Sequence, residues 1–152
     1  MLLNHVSLNP GEAIFLGAGN LHAYLHGLGV EVMANSDNVL RGGLTEKHID
    51  TDELFSVLRF EALDRPTLRS EGSQYQVPVN DFRVEQITDT AGPSHVKGPA
   101  IVLNASGTLR VGDVTLGAGE AAWVPACEGD VAVAGERASG FVVTTARSAD
   151  AG

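Results

Sequence analysis

Short apolar runs of Val, Leu, Ile and Phe follow one another along the chain and stop at Gly, Pro, Asn or Asp. That rhythm is one of strands and turns. It predicts strands over Leu2–Leu8, Ala13–Leu16, Leu21–Leu25, Val30–Ala34, Phe82–Gln86, Ala100–Leu103, Thr108–Val111, Ala121–Val124, Asp130–Val133 and Gly140–Thr145. Many short strands at this spacing predict an all-β barrel or sandwich. One segment breaks the pattern. Asp50 can cap a helix, Glu53 follows three residues later, and Leu54, Val57 and Leu58 then share one helical face. The spacing predicts a helix over Thr51–Leu58.

Beyond it, Asp64–Gln76 is rich in Arg, Ser, Gly and Pro and reads as a break between two parts, residues 1–64 and 65–152. The two parts share a repeat. Ser7-Leu8-Asn9-Pro10-Gly11-Glu12-Ala13-Ile14-Phe15-Leu16-Gly17-Ala18-Gly19 aligns without gaps on Thr115-Leu116-Gly117-Ala118-Gly119-Glu120-Ala121-Ala122-Trp123-Val124-Pro125-Ala126-Cys127. Each copy reads as strand, tight turn with Gly, strand. The pattern resembles that of cupins and implies two cupin-like units. The first would hold only the later strands of a barrel, and the second would be complete.

Composition narrows the function. Over 152 residues the hydrophobic fraction is 43%, which excludes a disordered chain. The net charge of −9 and the absence of a basic stripe argue against nucleic-acid binding. A single thiol, Cys127, allows no internal disulfide and reads as a small buried hydrophobe. No stretch approaches the roughly 20 apolar residues of a membrane span, and the start, Met-Leu-Leu-Asn-His-Val, lacks the features of a signal peptide. A cytoplasmic, soluble protein is expected, with a frayed tail after Thr145.

The candidate chemistry lies in the first unit. In the register of the repeat, His22 falls opposite Asp130 and His26 opposite Ala134, so only the first copy carries imidazoles. On a strand, His22, Tyr24 and His26 share a face. Residues four apart lie about 13 Å from each other, too far to hold one metal at about 2 Å each. At most one of the two histidines is a ligand, and geometry does not choose between them.

Gly19-Asn20-Leu21-His22-Ala23-Tyr24-Leu25-His26-Gly27 is similar to the His-Ala-Tyr signature of the zinc-dependent, cupin-fold (type I) mannose-6-phosphate isomerases. The run Ser36-Asp37-Asn38-Val39-Leu40-Arg41-Gly42-Gly43-Leu44-Thr45-Glu46-Lys47 resembles the same family's next conserved segment, with Glu46 where the family usually has proline. The resemblance implies a cupin or jelly-roll fold, with a partial barrel, a short connecting helix and a C-terminal barrel. It implies the interconversion of mannose 6-phosphate and fructose 6-phosphate with zinc. By the same resemblance His22 is a metal ligand, Arg41 is catalytic, and Asp37 and Lys47 bind substrate. The family's other zinc ligands, a Gln-x-His and a later Glu, have no counterpart here, and His5, His48 and His95 form no ligand-like cluster. The chain then reads as a C-terminal fragment, as half of a split enzyme completed by a separate N-terminal chain, or as a decayed homologue. The alternative function is a non-catalytic cupin module that binds a sugar or a partner chain.

Overall fold

The computed structural model describes residues 3–36, 39–43, 45–61, 63, 67–88 and 94–145. The chain divides into two compact units, Met1–Thr67 and Leu68–Gly152.

In the first unit the described residues form one short strand, β1 (Glu12–Ile14), and one helix, α1 (Thr51–Val57). The helix begins where the capping pattern places it. The Asp50 side chain accepts a hydrogen bond from the Glu53 backbone N–H at 3.0 Å, and Leu54 is the helix's buried residue. Leu58, expected inside the helix, is its C-cap and donates its N–H to the Leu54 carbonyl.

The other strands expected here do not form. Leu3–Leu8, Leu21–Leu25 and Val30–Ala34 run as irregular chain, and Leu2 lies outside the described residues. A strand exists by its hydrogen bonds to a neighbour, and an apolar alternation alone cannot supply them.

The second unit is strand-rich: β2 (Thr67–Glu71), β3 (Gln74–Tyr75), β4 (Arg83–Thr88), β5 (Ser94–Lys97), β6 (Ala100–Val111), β7 (Val114–Leu116), β8 (Ala121–Val124) and β9 (Asp130–Thr144). All described pairings are antiparallel, in the order β2-β3-β4-β9-β6-β7, with β5 on β9 and β8 on β6. Two strands, β2 and β3, lie in the polar stretch read as a break. Their Thr-Leu-Arg-Ser-Glu sequence suits a strand near a sheet edge, where only one face is covered.

β6 and β9 are longer than expected, because each joins two runs that the sequence separates. They pair from Ala100↔Thr144 to Val111↔Val133, with register shifts around Ser106. The interruptions in the apolar pattern mark the bend of this ribbon. Gly107 has φ 71°, and any side chain there would overlap the Arg137 carbonyl. Asn104, fully buried at the bend, donates through Nδ2 to the carbonyls of Gly107 (3.0 Å) and Leu116 (2.9 Å).

The core lies between the inward faces of these strands, with Val102, Leu109 and Val133 almost completely enclosed. Cys127 corrects the expectation of burial. It sits in a 3₁₀ turn, Ala126–Glu128, just past β8, and is exposed.

The repeat is also a repeat of hydrogen bonds. In the first copy the Glu12 N–H donates to the Asn9 carbonyl at 2.9 Å, and the Asn9 N–H donates to the Glu12 carboxylate at 2.8 Å. In the second, Glu120 and Gly117 exchange the same two bonds at 3.1 and 2.7 Å. Gly11 and Gly119 carry φ of 83° and 84°. Leu109→Ala removes a side chain with no exposure at all. It is expected to destabilise the second unit by about 3 kcal/mol, measurable as a lower urea midpoint at unchanged slope.

Candidate functional site

The site is built on a loop that comes after the first copy of the repeat. Asn20 closes a turn onto the Gly17 carbonyl, with its backbone N–H at 3.3 Å and its side-chain Nδ2 at 3.0 Å. The end of α1 supports this turn. The Arg59 N–H donates to the Gly19 carbonyl at 3.0 Å, and the Val57 carbonyl packs so close to Gly19 that a side chain would collide with it.

His22 comes next. Its Nδ1 lies 3.1 Å from the Asn20 carbonyl oxygen. A carbonyl can only accept, so Nδ1 carries the proton in the neutral ring and Nε2 holds the lone pair. That is the tautomer a metal-ligating imidazole needs, oriented by a backbone acceptor. The Tyr24 ring meets the His22 ring edge-on, with centroids 5.8 Å apart at 73°. His22 and Tyr24 are thus in contact, although the strand expected to align them does not form.

Tyr24 leads to a residue that sequence reasoning missed. Its hydroxyl is within the influence of the Glu31 carboxylate. The phenol's pKa is raised above its ordinary value, first by desolvation and then by the hydrogen bond and negative charge of Glu31. The signal was present in the sequence: Glu31 is a lone carboxylate between Val30 and Val32, just after the His-Ala-Tyr element.

Arg41 comes to the site through its neighbour. Gly42 packs against Leu21 so tightly that any side chain at 42 would overlap the leucine. Arg41 and His22 each stand one residue from this contact, which bounds their Cα atoms to about 15 Å. That is within reach of one small ligand for a side chain as long as arginine. Arg41 and Lys47 are exposed, and the Lys47 backbone N–H donates to Thr45 Oγ1 at 3.1 Å. Asp37 lies outside the described residues.

A zinc ion fits this chain in part. His22 offers one imidazole nitrogen lone pair, but the described residues contain no group of three or more His, Cys, Asp or Glu side chains that could hold a metal. The described residues therefore do not make a zinc shell.

No family model matches the chain. Curated relatives do. It is 42% identical over 147 residues to the mannose-6-phosphate isomerase of Escherichia coli K12, covering 89% of this chain and 38% of that protein. It is 44% identical over 124 residues to a probable mannose-6-phosphate isomerase of Dictyostelium discoideum, covering 72% of this chain and 27% of that protein. The match falls on the C-terminal part of these relatives, of whose length the chain spans well under half.

Among solved structures, the mannose 6-phosphate isomerase of Salmonella typhimurium bound to its substrate and a zinc atom has a TM-score of 0.57 and 30% identity, over 74% of this chain and 32% of that one. The fold is that of the cupins, all-β as expected. Two further structures of the Salmonella protein carry a glutamate-to-alanine and an arginine-to-alanine change ten residues apart. Glu31 and Arg41 have the same separation.

Both tyrosines of the chain, Tyr24 and Tyr75, are held above the ordinary phenol pKa. Because the folded-state values are raised, the associated stability is complete below the unfolded value and is lost as pH rises through the folded one. Tyrosinate absorbance should therefore appear later than in the unfolded chain. Glu31→Gln should bring the Tyr24 step back toward its ordinary position and leave Tyr75 unmoved, with Tyr24→Phe identifying the step.

Proposed function

We propose that this chain, a relative of the C-terminal part of mannose-6-phosphate isomerases, supplies that part of a zinc-dependent, cytoplasmic enzyme interconverting mannose 6-phosphate and fructose 6-phosphate. The observation that carries the reading is the arrangement around His22. Its Nε2 lone pair is left available by the Asn20 carbonyl, the Tyr24 ring is beside it, and the Leu21–Gly42 contact brings Arg41 near.

The reaction moves a proton between two carbons that flank a carbonyl, through an enediol whose oxygens gain negative charge. The Arg41 guanidinium suits that charge, since its planar donors are fixed and always protonated. Lys47 offers a mobile cation for the substrate phosphate. Asp37 would orient the guanidinium or take hydroxyl hydrogens. His22 would be one zinc ligand. No step is assigned to the metal, because the described residues offer it one imidazole and not a shell.

The rest of the shell would come from a polypeptide equivalent to the part of the relatives that the chain does not match, continuous with it or separate. The exposed apolar surface of the first unit supports this. Leu28 is 96%, Phe60 84%, Leu25 72% and Met33 66% exposed, apolar side chains open to a partner polypeptide. An unpaired backbone beside such a surface is a template for another chain.

Combining this chain with the N-terminal portion of the E. coli relative should yield zinc-dependent isomerase activity where the chain alone gives little or none. Arg41→Ala should then lower kcat by about 10²–10³ with zinc content unchanged. Full activity in the Arg41→Ala combination, or none in the parent combination with a correctly formed complex, would sink the proposal.

A further inference from the structure

The described cations of the first unit are Arg41, Lys47 and Arg59. Arg41 reaches the His22 loop through Gly42, which packs on Leu21. Lys47 bonds within its own loop, to Thr45. Arg59 touches the His22 loop directly. It follows Leu58, the C-cap of α1, and its backbone N–H donates to the Gly19 carbonyl at 3.0 Å. Its side chain takes the same course. A Cβ at Gly19 would stand 3.1 Å from Arg59 Cγ and 3.5 Å from Cδ. The aliphatic stem of Arg59 therefore lies along Gly19, where the absent side chain leaves it room. Gly19 also has a φ of 85°, a conformation that favours glycine.

An arginine that lays its stem on the backbone keeps its charged head in the open, and Arg59 is exposed. Gly19 and Leu21 are at most about 7 Å apart, and Gly19 and His22 at most about 11 Å. Two arginines thus approach one three-residue stretch, Arg59 at Gly19 and Arg41, through Gly42, at Leu21. On a chain whose net charge is −9, the general surface does not supply such positive charge. A sugar phosphate undergoing isomerisation carries negative charge in two places, the phosphate at one end and the developing enediolate near the other. With Arg41 suited to the enediolate, the phosphate calls for a second cation. A guanidinium meets phosphate oxygens with two parallel N–H donors.

We propose that Arg59 is a further substrate-binding residue, which holds the phosphate of the sugar phosphate together with Lys47. The inference rests on the isomerase reading of the His22 site. The contact with Gly19 fixes the root and stem of the side chain, so that less of its freedom is lost when the guanidinium closes on the phosphate. The N–H that joins the end of α1 to the loop belongs to the backbone. Replacing the Arg59 side chain therefore leaves that link in place and removes the charge.

The test uses the full chain combined with the N-terminal portion of the E. coli relative. Arg59→Gln should raise the KM for mannose 6-phosphate about tenfold or more. It should weaken competitive inhibition by inorganic phosphate by a similar factor, with a smaller effect on kcat. Arg41→Ala should show the converse and act chiefly on kcat. Arg59→Lys keeps the charge but not the paired donors. It should lie between the parent and Arg59→Gln in both readouts, and it carries the test if Arg59→Gln does not assemble. An active combination in which these variants leave KM and phosphate inhibition unchanged overturns the inference while the isomerase reading stands. So does a loss of kcat or of zinc at unchanged phosphate inhibition, the result that a purely structural role would give. A correctly formed parent combination without activity overturns the isomerase reading and this inference with it.

Discussion

A β-strand is held by its neighbours, because each extended residue presents a backbone donor and acceptor that must be paired. The two units of this chain differ in how far that requirement is met. In the second, β6 and β9 run the length of the fold as one bent ribbon, and every other strand attaches to it directly or through another. Their bend lets one pair of strands serve two parts of the sandwich and enclose Val102, Leu109 and Val133 between them. In the first, apolar segments of similar pattern have no such ribbon. They run as irregular chain, and many of their large side chains are exposed.

The repeated turn separates local from long-range causes. Asn9–Glu12 and Gly117–Glu120 adopt the same hydrogen-bonded turn in units that otherwise differ in completeness. In each, a carboxylate captures the N–H three residues back and a glycine takes the positive φ that a side chain would resist. Such a device needs nothing beyond its own residues. Past the turn the two copies diverge. The first runs into Asn20 and His22, whereas the second enters a 3₁₀ turn and the long strand β9. The chemistry has been placed downstream of a shared scaffold.

This explains what was legible in the sequence. Features decided locally could be read directly: the Asp50 cap and helix α1, and the repeated turn. The strands of the second unit were read as fragments, because the small and charged residues at the bend of β6 and β9 resemble loop signals when seen one strand at a time. β2 and β3 were hidden by their polar sequence, and Cys127 by the tendency of free thiols to be buried. The missing strands of the first unit could not be foreseen from their own residues, since the deciding factor is the presence of a partner. Glu31 was overlooked for a related reason. Its role is defined by the Tyr24 hydroxyl, seven residues away, and no pattern within its own segment announces it.

The state of His22 has a consequence for the order in which such a site is made. The Asn20 carbonyl and the turn at Gly17 select the ring's tautomer, so the imidazole of the proposed ligand is oriented by its own loop. One imidazole binds zinc weakly, because useful affinity comes from several ligands held at fixed geometry. If the remaining ligands belong to another stretch of polypeptide, zinc binding and completion of the first unit become a single thermodynamic event. The metal would then stabilise the very pairing that covers the exposed apolar surface, and the covered surface would hold the ligands in place. On this view one neighbouring polypeptide would complete both the pairing of the first unit and the proposed metal shell.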